Sequence, residues 1–502
     1  MNRLMYKLIT DKQAKRQVRI LLILSSLLHP ISLEELSEKT GVSERTLSND
    51  LISLSSLTPV GLEINIVPRV GISLTYDPAI SISNFILEIA ENNSIFIIID
   101  DLFTGKVKSI REYSERLFIS ETALRKKLSV LKKNLREYKL SLSLSPLMIK
   151  GDEYNIRCFF FMYYKDTKHS SFITPNRNQI SVHAAIIDIL KEETEVALYT
   201  DYIRASHWLN IVERRIKNGF YISLPEELII KQMKKNSYRR FKEVYITQLA
   251  KSLKIKSLNE DEVVFAFLIR MDTIVYRHTG LGKFILMYEE EIPKDIINPF
   301  LELLFSEFNL TFKKDSELFE LLKAFLTNSF LLNQLTSLLQ KNSFELNQKI
   351  KNTHPMLYKS CLELVIRSEL TKYMNIEHFE DFSVRLTLIL STYVHNKNLE
   401  KKRVLFSLTG ETAYLDYFIM LCNCYLPRNM DIYFSFDKEI TPEYLIEKKI
   451  DVWIHNYHVQ NYPLNIISYQ ISSFPTFSEW SKLLSVLIGM PREILHSFLE
   501  MS

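Results

Sequence analysis

The 502 residues are 46% hydrophobic and 24% charged, which excludes wholesale disorder, and at about three times a typical ~150-residue domain the length predicts three to five globular domains. Glycine supplies only 10 positions, against a usual share of ~7%, which disfavours Gly-rich phosphate cradles and turn-dense β architectures; with 15 prolines, packed helices are expected. Net charge is +4, but residues 1–150 hold 21 basic against 16 acidic residues, so a polyanion would meet the N-terminal third.

Four cysteines in this length do not make a disulfide scaffold and suit a reducing cytoplasm. The first apolar run, Ile20–Leu28, follows Lys12, Lys15, Arg16 and Arg19 in the manner of an export signal. It is interrupted by Ser25 and Ser26, no small-residue cleavage site follows, and it falls short of the ~20 residues that span a bilayer. It reads as the buried face of a helix over Lys15–Leu28, and a cytoplasmic protein without a membrane partner is expected.

Ser32 and Glu35 form an S-x-x-E capping box that opens a second helix, Leu33–Thr40. Gly41 supplies a left-handed turn and Ser43 caps a third helix. There Leu47, Leu51 and Leu54 form one buried stripe, while Glu44, Arg45, Ser48 and Asn49 face outward. Helix, tight turn and helix with a polar outer face is the helix-turn-helix arrangement, whose second helix enters the DNA major groove. Leu62–Val67 and Ile72–Tyr76 then read as strands of a wing, with Arg69 near its tip.

The pattern recurs. Ser109 and Glu112 open Ile110–Leu117, Phe118-Ile119 is a short turn, and Ser120 caps Glu121–Tyr138. Leu124, Leu128, Leu131 and Leu135 make the buried stripe; Thr122, Arg125, Lys126, Ser129, Lys132 and Lys133 project elsewhere, and Lys127 completes a run of five bases between Arg125 and Lys133. A second wing is expected over Leu140–Ile149, with Pro146 at its turn. One such unit is a weak signal, since amphipathic helix pairs are common; two in tandem carry more weight.

Residues 155–396 are strongly amphipathic and helical, with examples at Ser206–Lys217, Glu260–Arg277, Glu317–Gln340 and Phe379–Val394. Their length predicts two helical domains joined around Tyr288–Pro299. From Lys401 the texture changes. Strands at Arg403–Leu408, Asp431–Phe436, Asp451–Ile454 and Ile466–Ile471 alternate with helices at Glu411–Tyr425, Pro442–Lys449 and Phe477–Leu487, implying a small α/β domain with a parallel sheet.

Catalysis finds little support. There is no G-x-x-x-x-G-K-[ST], G-x-G-x-x-G or H-E-x-x-H, and Gly280 and Gly282 alone carry no meaning. Cys422 and Cys424 lack further ligands at finger-like spacing, and His455 and His458 read as a surface loop after a strand. No enzyme activity, metal or cofactor is expected.

Ser43-Glu-Arg-Thr-Leu47 in the first recognition helix, Ile149-Lys-Gly-Asp-Glu-Tyr-Asn-Ile-Arg157 after the second, and the domain order resemble the Mga/AtxA family of global virulence regulators of Gram-positive bacteria. The resemblance covers nearly the whole chain and implies a mainly α, multidomain fold. Its parts are a winged helix-turn-helix domain (1–78), a second helix-turn-helix domain (79–154), two phosphotransferase-system regulation domains or PRDs (155–288 and 289–397), and an enzyme-IIB-like α/β domain (398–502). It also implies a homodimer that binds double-stranded DNA, activates virulence or metabolic genes, and answers to phosphocarrier proteins of the sugar-uptake system through histidine phosphorylation. His207-Trp208 with Arg214 and Gly219 fits the regulation-domain pattern H-[LW]-x-x-x-x-x-R-x-x-x-G. His207 is then either a switch, its phosphate set among Arg204, Arg214 and Arg215, or a helix-start imidazole that only hydrogen-bonds. Ile269 and Arg270 occupy the region of the domain's second histidine and Asn328 that of the next domain's first, leaving His354 and His378 as alternatives. The loop Ser407-Leu-Thr-Gly-Glu411 lacks the cysteine that enzyme IIB phosphorylates, so a scaffold kept for association is expected there.

The expected DNA contacts are Ser43, Arg45, Ser48, Asn49, Ser120, Thr122, Arg125 and Lys126, with Arg69, Lys127, Lys132 and Lys133 mainly on phosphates. The competing class is a phosphotransferase-system carrier or an RNA-binding antiterminator. It would need a cysteine at 407–411 or a β-rich RNA-binding module at the N-terminus, and neither is visible.

Overall fold

A computed structural model describes residues 3–27, 29–91, 93–106, 108–165, 180–182, 184–186, 188, 199–253, 258–275, 294–313, 316–398, 402–426, 430–436, 440–459, 466–476, 479–480, 482–483 and 487. The chain forms two compact units, residues 1–348 with 362–383 and residues 349–361 with 384–502.

The first unit opens with α1 (Arg3–Leu8) and α2 (Lys12–Leu24), the latter capped by the Asp11 carboxylate. α2 stops four residues short of the sequence expectation because the Ser25 and Ser26 hydroxyls fold back onto the Leu22 and Ile23 carbonyls at 3.1 and 2.8 Å. α3 (Leu33–Thr40) and α4 (Glu44–Leu57) follow, then the antiparallel pair β1 (Leu62–Val67) and β2 (Gly71–Tyr76). Next come α5 (Ile82–Glu91), α6 (Ser94–Phe103), α7 (Ile110–Arg116), α8 (Glu121–Arg136) and a short hairpin of β3 (Ser141–Leu144) and β4 (Leu147–Lys150).

The helical body is built on α9 (Glu153–Tyr164), β5 (Tyr199–Thr200), α10 (Tyr202–Lys217), α11 (Glu226–Met233), α12 (Asn236–Leu253) and α13 (Glu260–Ile269). The helix expected through Arg277 ends earlier. A 3-10 turn over Arg270–Thr273 leads into β6 (Ile274–Val275), which pairs antiparallel with β5. The helix expected over Glu317–Gln340 also divides, into α15 (Glu317–Asn333), after α14 (Lys294–Glu307), and a 3-10 turn at Ser337–Gln340. Thr336 breaks it: its backbone is extended, its hydroxyl donates to Asn155 Oδ1 at 2.8 Å, and the same oxygen caps Leu338. α16 (Phe344–Thr353), α17 (Pro355–Arg367), α18 (Leu370–Tyr373) and α19 (Phe379–Asn398) complete the helical region.

One apolar core runs through the first unit from Leu4 to Leu339, so the N-terminal helix pairs and the helical body share an interior. Aromatic rings hold the join: Phe103 meets Phe160 at 4.7 Å between centroids and Tyr138 meets Phe159 edge-on at 5.3 Å. Among the described residues no single helix is long and apolar enough to cross a membrane; the apolar helices α5 and α6 turn by 90° at their junction.

In the second unit β7 (Arg403–Ser407), α20 (Thr412–Tyr425), β8 (Asp431–Phe434), α21 (Pro442–Glu447), β9 (Val452–His455) and β10 (Ile467–Gln470) form a parallel sheet of order β10-β9-β7-β8. The two-residue period is plain in β7: Val404 and Phe406 pack toward Phe418 and Cys422 on one face, Leu405 toward Leu445 and Trp453 on the other. Of the final helix expected over Phe477–Leu487, most residues lie outside those described.

Candidate nucleic-acid interface

The first helix pair forms because each end is locally specified. Ser32 and Glu35 close a reciprocal capping box on α3, Gly41 ends it in the left-handed region at φ +68, and the Ser43 hydroxyl accepts the Thr46 amide. Leu36, Leu47, Leu51 and Leu54 are buried against Val18 and Leu21 of α2. Two arginines of α2 then fix the angle between the helices. Arg16 grips the buried Asp50 carboxylate of α4 with bonds of 2.7 and 3.2 Å, and Arg19 donates to the Thr40 and Lys39 carbonyls at the end of α3.

Arg45 and Asn49 are thereby left exposed on the outer face of α4. Ser48 is half-buried and its hydroxyl returns to the Glu44 carbonyl at 2.9 Å. Beside this helix the wing is pinned close to its tip, where Ile72 exchanges backbone hydrogen bonds with Ile31 at 2.7 and 2.9 Å. Arg69 stands exposed at the tip with φ +64.

The second pair, α7 and α8, repeats the capping box with Ser109 and Glu112 and the cap with Ser120, whose hydroxyl accepts the Ala123 amide at 3.2 Å. Its turn uses Phe118 where the first uses glycine: φ is +52 and the side chain is 95% exposed. Here the buried carboxylate is Asp101 on α6, which binds Arg116 of α7, lies 3.8 Å from Lys106 and accepts from the Tyr113 hydroxyl at 3.3 Å. Thr122, Arg125, Lys126, Lys132 and Lys133 are exposed, and Arg125 lies 3.7 Å from Glu121 one turn back. Lys127 is half-buried instead, and its ammonium donates to the Thr10 hydroxyl at 3.2 Å. Arg136, which the sequence reading passed over, is exposed one turn beyond Lys132; the i, i+4 spacing from Lys132 was the available signal.

A buried charge network anchors this second pair to the helical body. Arg157, with no exposed side-chain surface, makes a bidentate contact with Glu262 at 2.7 and 2.8 Å and reaches Glu153. Arg215 of α10 binds Glu153 through two bonds of 2.7 Å, stacks on Phe220 at 3.7 Å and donates to the Phe103 carbonyl at the end of α6. At the other end, Lys139 donates to Glu377 at 2.7 Å and to Ser337 at 3.0 Å, and Lys341 donates to the Glu137 carbonyl at 2.7 Å.

His207 is 6% exposed, its ring edge-on to Phe161 at 6.1 Å. Two of the arginines expected to surround a phosphate are committed to carboxylates: Arg204 is bidentate on Asp272, at 2.7 Å each, and Arg215 on Glu153. His378 is half-buried at the 374–378 loop, which Gln340 ties down by accepting the Glu377 and His378 amides at 3.0 Å. Burial, then the nearby Lys341, lowers its imidazole pKa. Asn328 is buried and donates to the Met271 carbonyl at 2.8 Å.

In the second unit the loop after β7 holds no thiol. Ser407 is buried and bonded to Trp453 Nε1 at 2.6 Å and to the Tyr457 hydroxyl at 2.9 Å, while burial pushes the Cys422 thiol up to about 12. His455, expected in a surface loop, instead ends β9 and is buried, both ring nitrogens engaged at 2.8 Å with the Tyr457 carbonyl and the Ser468 hydroxyl. β9 is buried on both faces, and His455 lies beside Trp453, 4.8 Å between ring centroids. No group of three or more metal-ligating side chains occurs among the described residues.

Two capped helix pairs, each with a hairpin beside its second helix, stand in tandem in a mainly helical, multidomain chain. Residues 78–164, which contain the second pair, match the Mga helix-turn-helix domain, so the resemblance to the Mga/AtxA family holds. The chain is similar to two capsule synthesis positive regulators of Bacillus anthracis. It is 22% identical to AcpA over 310 residues, 57% of this chain and 64% of AcpA. It is 22% identical to AcpB over 377 residues, 74% of this chain and 73% of AcpB. The match therefore spans just under two thirds of the AcpA length.

Proposed function

We propose that the protein is a DNA-binding transcriptional regulator, acting positively, that reads duplex DNA with α4 and α8. The observation that carries this reading is the pair of recognition helices whose buried stripes leave Arg45 and Arg125 exposed at capped N-terminal ends. Arg45 and Asn49 suit base edges, which they can meet with paired donors and acceptors. Arg125, Lys126, Lys132 and Lys133 suit phosphates, with Ser43 and Ser120 holding the helix starts in register. The positive sign is taken from the names of the two relatives.

The finer parts of the reading are the domain limits 1–78, 79–154, 155–288, 289–397 and 398–502, a homodimer, and control by phosphocarrier proteins at His207 or His378. His207 lies on the same helix as Arg215, and Arg215 touches α6, so a charge placed at His207 has a stiff route to the second helix pair. Its burial means that α10 must move away from Phe161 before a phosphocarrier reaches the ring.

Gel shifts with duplex DNA and with RNA across a salt series test the main claim. The duplex should be preferred, and Arg125→Ala with Lys126→Ala should flatten the salt slope by about two at most. An unchanged slope removes α8 as a DNA reader. Phosphate labelling that survives both His207→Ala and His378→Ala removes the phosphorelay assignment.

A further inference from the structure

The two wings differ in a way the shared motif does not require. The second carries Ser145-Pro146 at its tip and no cation there. The first carries Arg69, flanked by Ile66, Val67 and Val70, which are 53, 47 and 60% exposed. Exposed aliphatic side chains on both sides of one outward arginine are a poor surface for water. They are also a poor phosphate clamp: Pro68 has no N–H, and the Val70 amide is spent on the Val67 carbonyl at 3.1 Å.

That arrangement matches a different part of the duplex. The minor groove has apolar deoxyribose walls and, along A·T tracts, a narrow floor of strongly negative potential that draws in arginine. We propose that the first wing enters the minor groove beside the site read by α4. There Arg69 reaches an A·T-rich floor while Val67 and Val70 pack on the sugars. The inference rests on the DNA-binding reading above and assigns its minor-groove specificity to one residue.

The wing is stiff enough for such a task. Ile72 is tied both to Ile66 across the hairpin and to Ile31 before α3, only three residues from Arg69. Gly71, at φ +123, allows the closeness: a Cβ there would lie 2.7 Å from the Ile31 carbonyl oxygen. The tip is thus held in a fixed position relative to the helix pair, and Arg69 is presented with little freedom to wander.

The test starts from a random duplex pool enriched on the full-length protein. Enriched duplexes are then remade with the flanking segment as A·T, as inosine·C, or as G·C. Inosine·C keeps the minor-groove pattern of A·T while presenting the major-groove edge of G·C. Wild type should bind the A·T and inosine·C flanks alike and the G·C flank roughly fivefold or more weakly, the loss typical of a mismatched position. Arg69→Ala should abolish that preference while enriching the same core sequence, and Arg69→Lys should keep part of it. If Arg69→Ala weakens all three flanks equally, the arginine is a phosphate contact and the inference falls. If the A·T and inosine·C flanks differ, the reading is through the major groove and the inference falls. If wild type enriches no duplex, the DNA-binding reading itself fails and takes this one with it.

Discussion

The two helix pairs share a plan but divide their charge differently. In the first, the buried carboxylate sits on the recognition helix itself, as Asp50, and is held by Arg16 of α2. α4 then offers one exposed arginine, and another exposed arginine, Arg69, stands out on the wing. In the second, the carboxylate has moved to the supporting helix as Asp101, leaving α8 free to carry Arg125, Lys126, Lys132, Lys133 and Arg136 outward. On the proposed reading, one pair discriminates and the other holds on. The second is also the pair stitched to the helical body, through Arg215 on its supporting helix α6 and through Lys139 and Lys341 at the end of α8.

That contrast can be broken at its strongest point first. Arg215→Ala strips Glu153 of a bidentate partner in a buried site and should cost about 3 kcal/mol or more, read as a lowered urea midpoint of the full chain. If the midpoint is unchanged, the stitching is decorative. Next in size is the division of labour on DNA. Arg45→Ala should relax sequence preference by about 1–3 kcal/mol at one position, measured as the affinity ratio of cognate to mismatched duplex. Arg125→Ala should instead lower affinity for both duplexes alike.

The turns give a smaller and opposite pair of effects. Gly41→Ala finds open space around its Cβ and pays only for the left-handed backbone, about 1–2 kcal/mol. Phe118→Gly relieves the same backbone cost at φ +52 and should be neutral to stabilising by up to about 1 kcal/mol in thermal melts. The smallest effect is on pH. The His378 imidazole is held below its usual range, first by burial and then by Lys341. Just below ~6.5 the folded chain therefore binds fewer protons than the unfolded one, and stability present above that pH is lost as pH falls through the folded value. The drop in urea midpoint on acidification should be shallower in His378→Gln.

What could be read from the sequence follows from how local each cause is. Capping boxes at Ser32 and Ser109, the glycine turn at 41 and the strand-forming runs of β1 and β7 act within a few residues, and they were legible. The helix ends at Ile269 and Asn333 were not. The first is set by β6 pairing with β5 some seventy positions away, the second by Thr336 bonding to Asn155. The outward faces of α4 and α8 followed from their leucine stripes, but the inward turn of Lys127 depends on Thr10, in the remote connection between α1 and α2. The arginines around His207 looked free to receive an anion because their carboxylates, Asp272 and Glu153, lie far along the chain.

The reach of Arg215 from α10 to the Phe103 carbonyl bears on any attempt to dissect the molecule. A fragment excised at residue 154 would keep Glu153 while discarding Arg157 and Arg215, the two guanidiniums that neutralise it. It would leave with a raw seam: a bare carboxylate, an uncapped helix end and aromatic rings opened to water. Grafts between relatives that exchange only the amino-terminal segment would inherit that wound, whereas a cut placed beyond α13 keeps Arg157, Arg215 and Glu262 with Glu153, and only one placed beyond Glu377 also keeps the partners of Lys139 and Glu137.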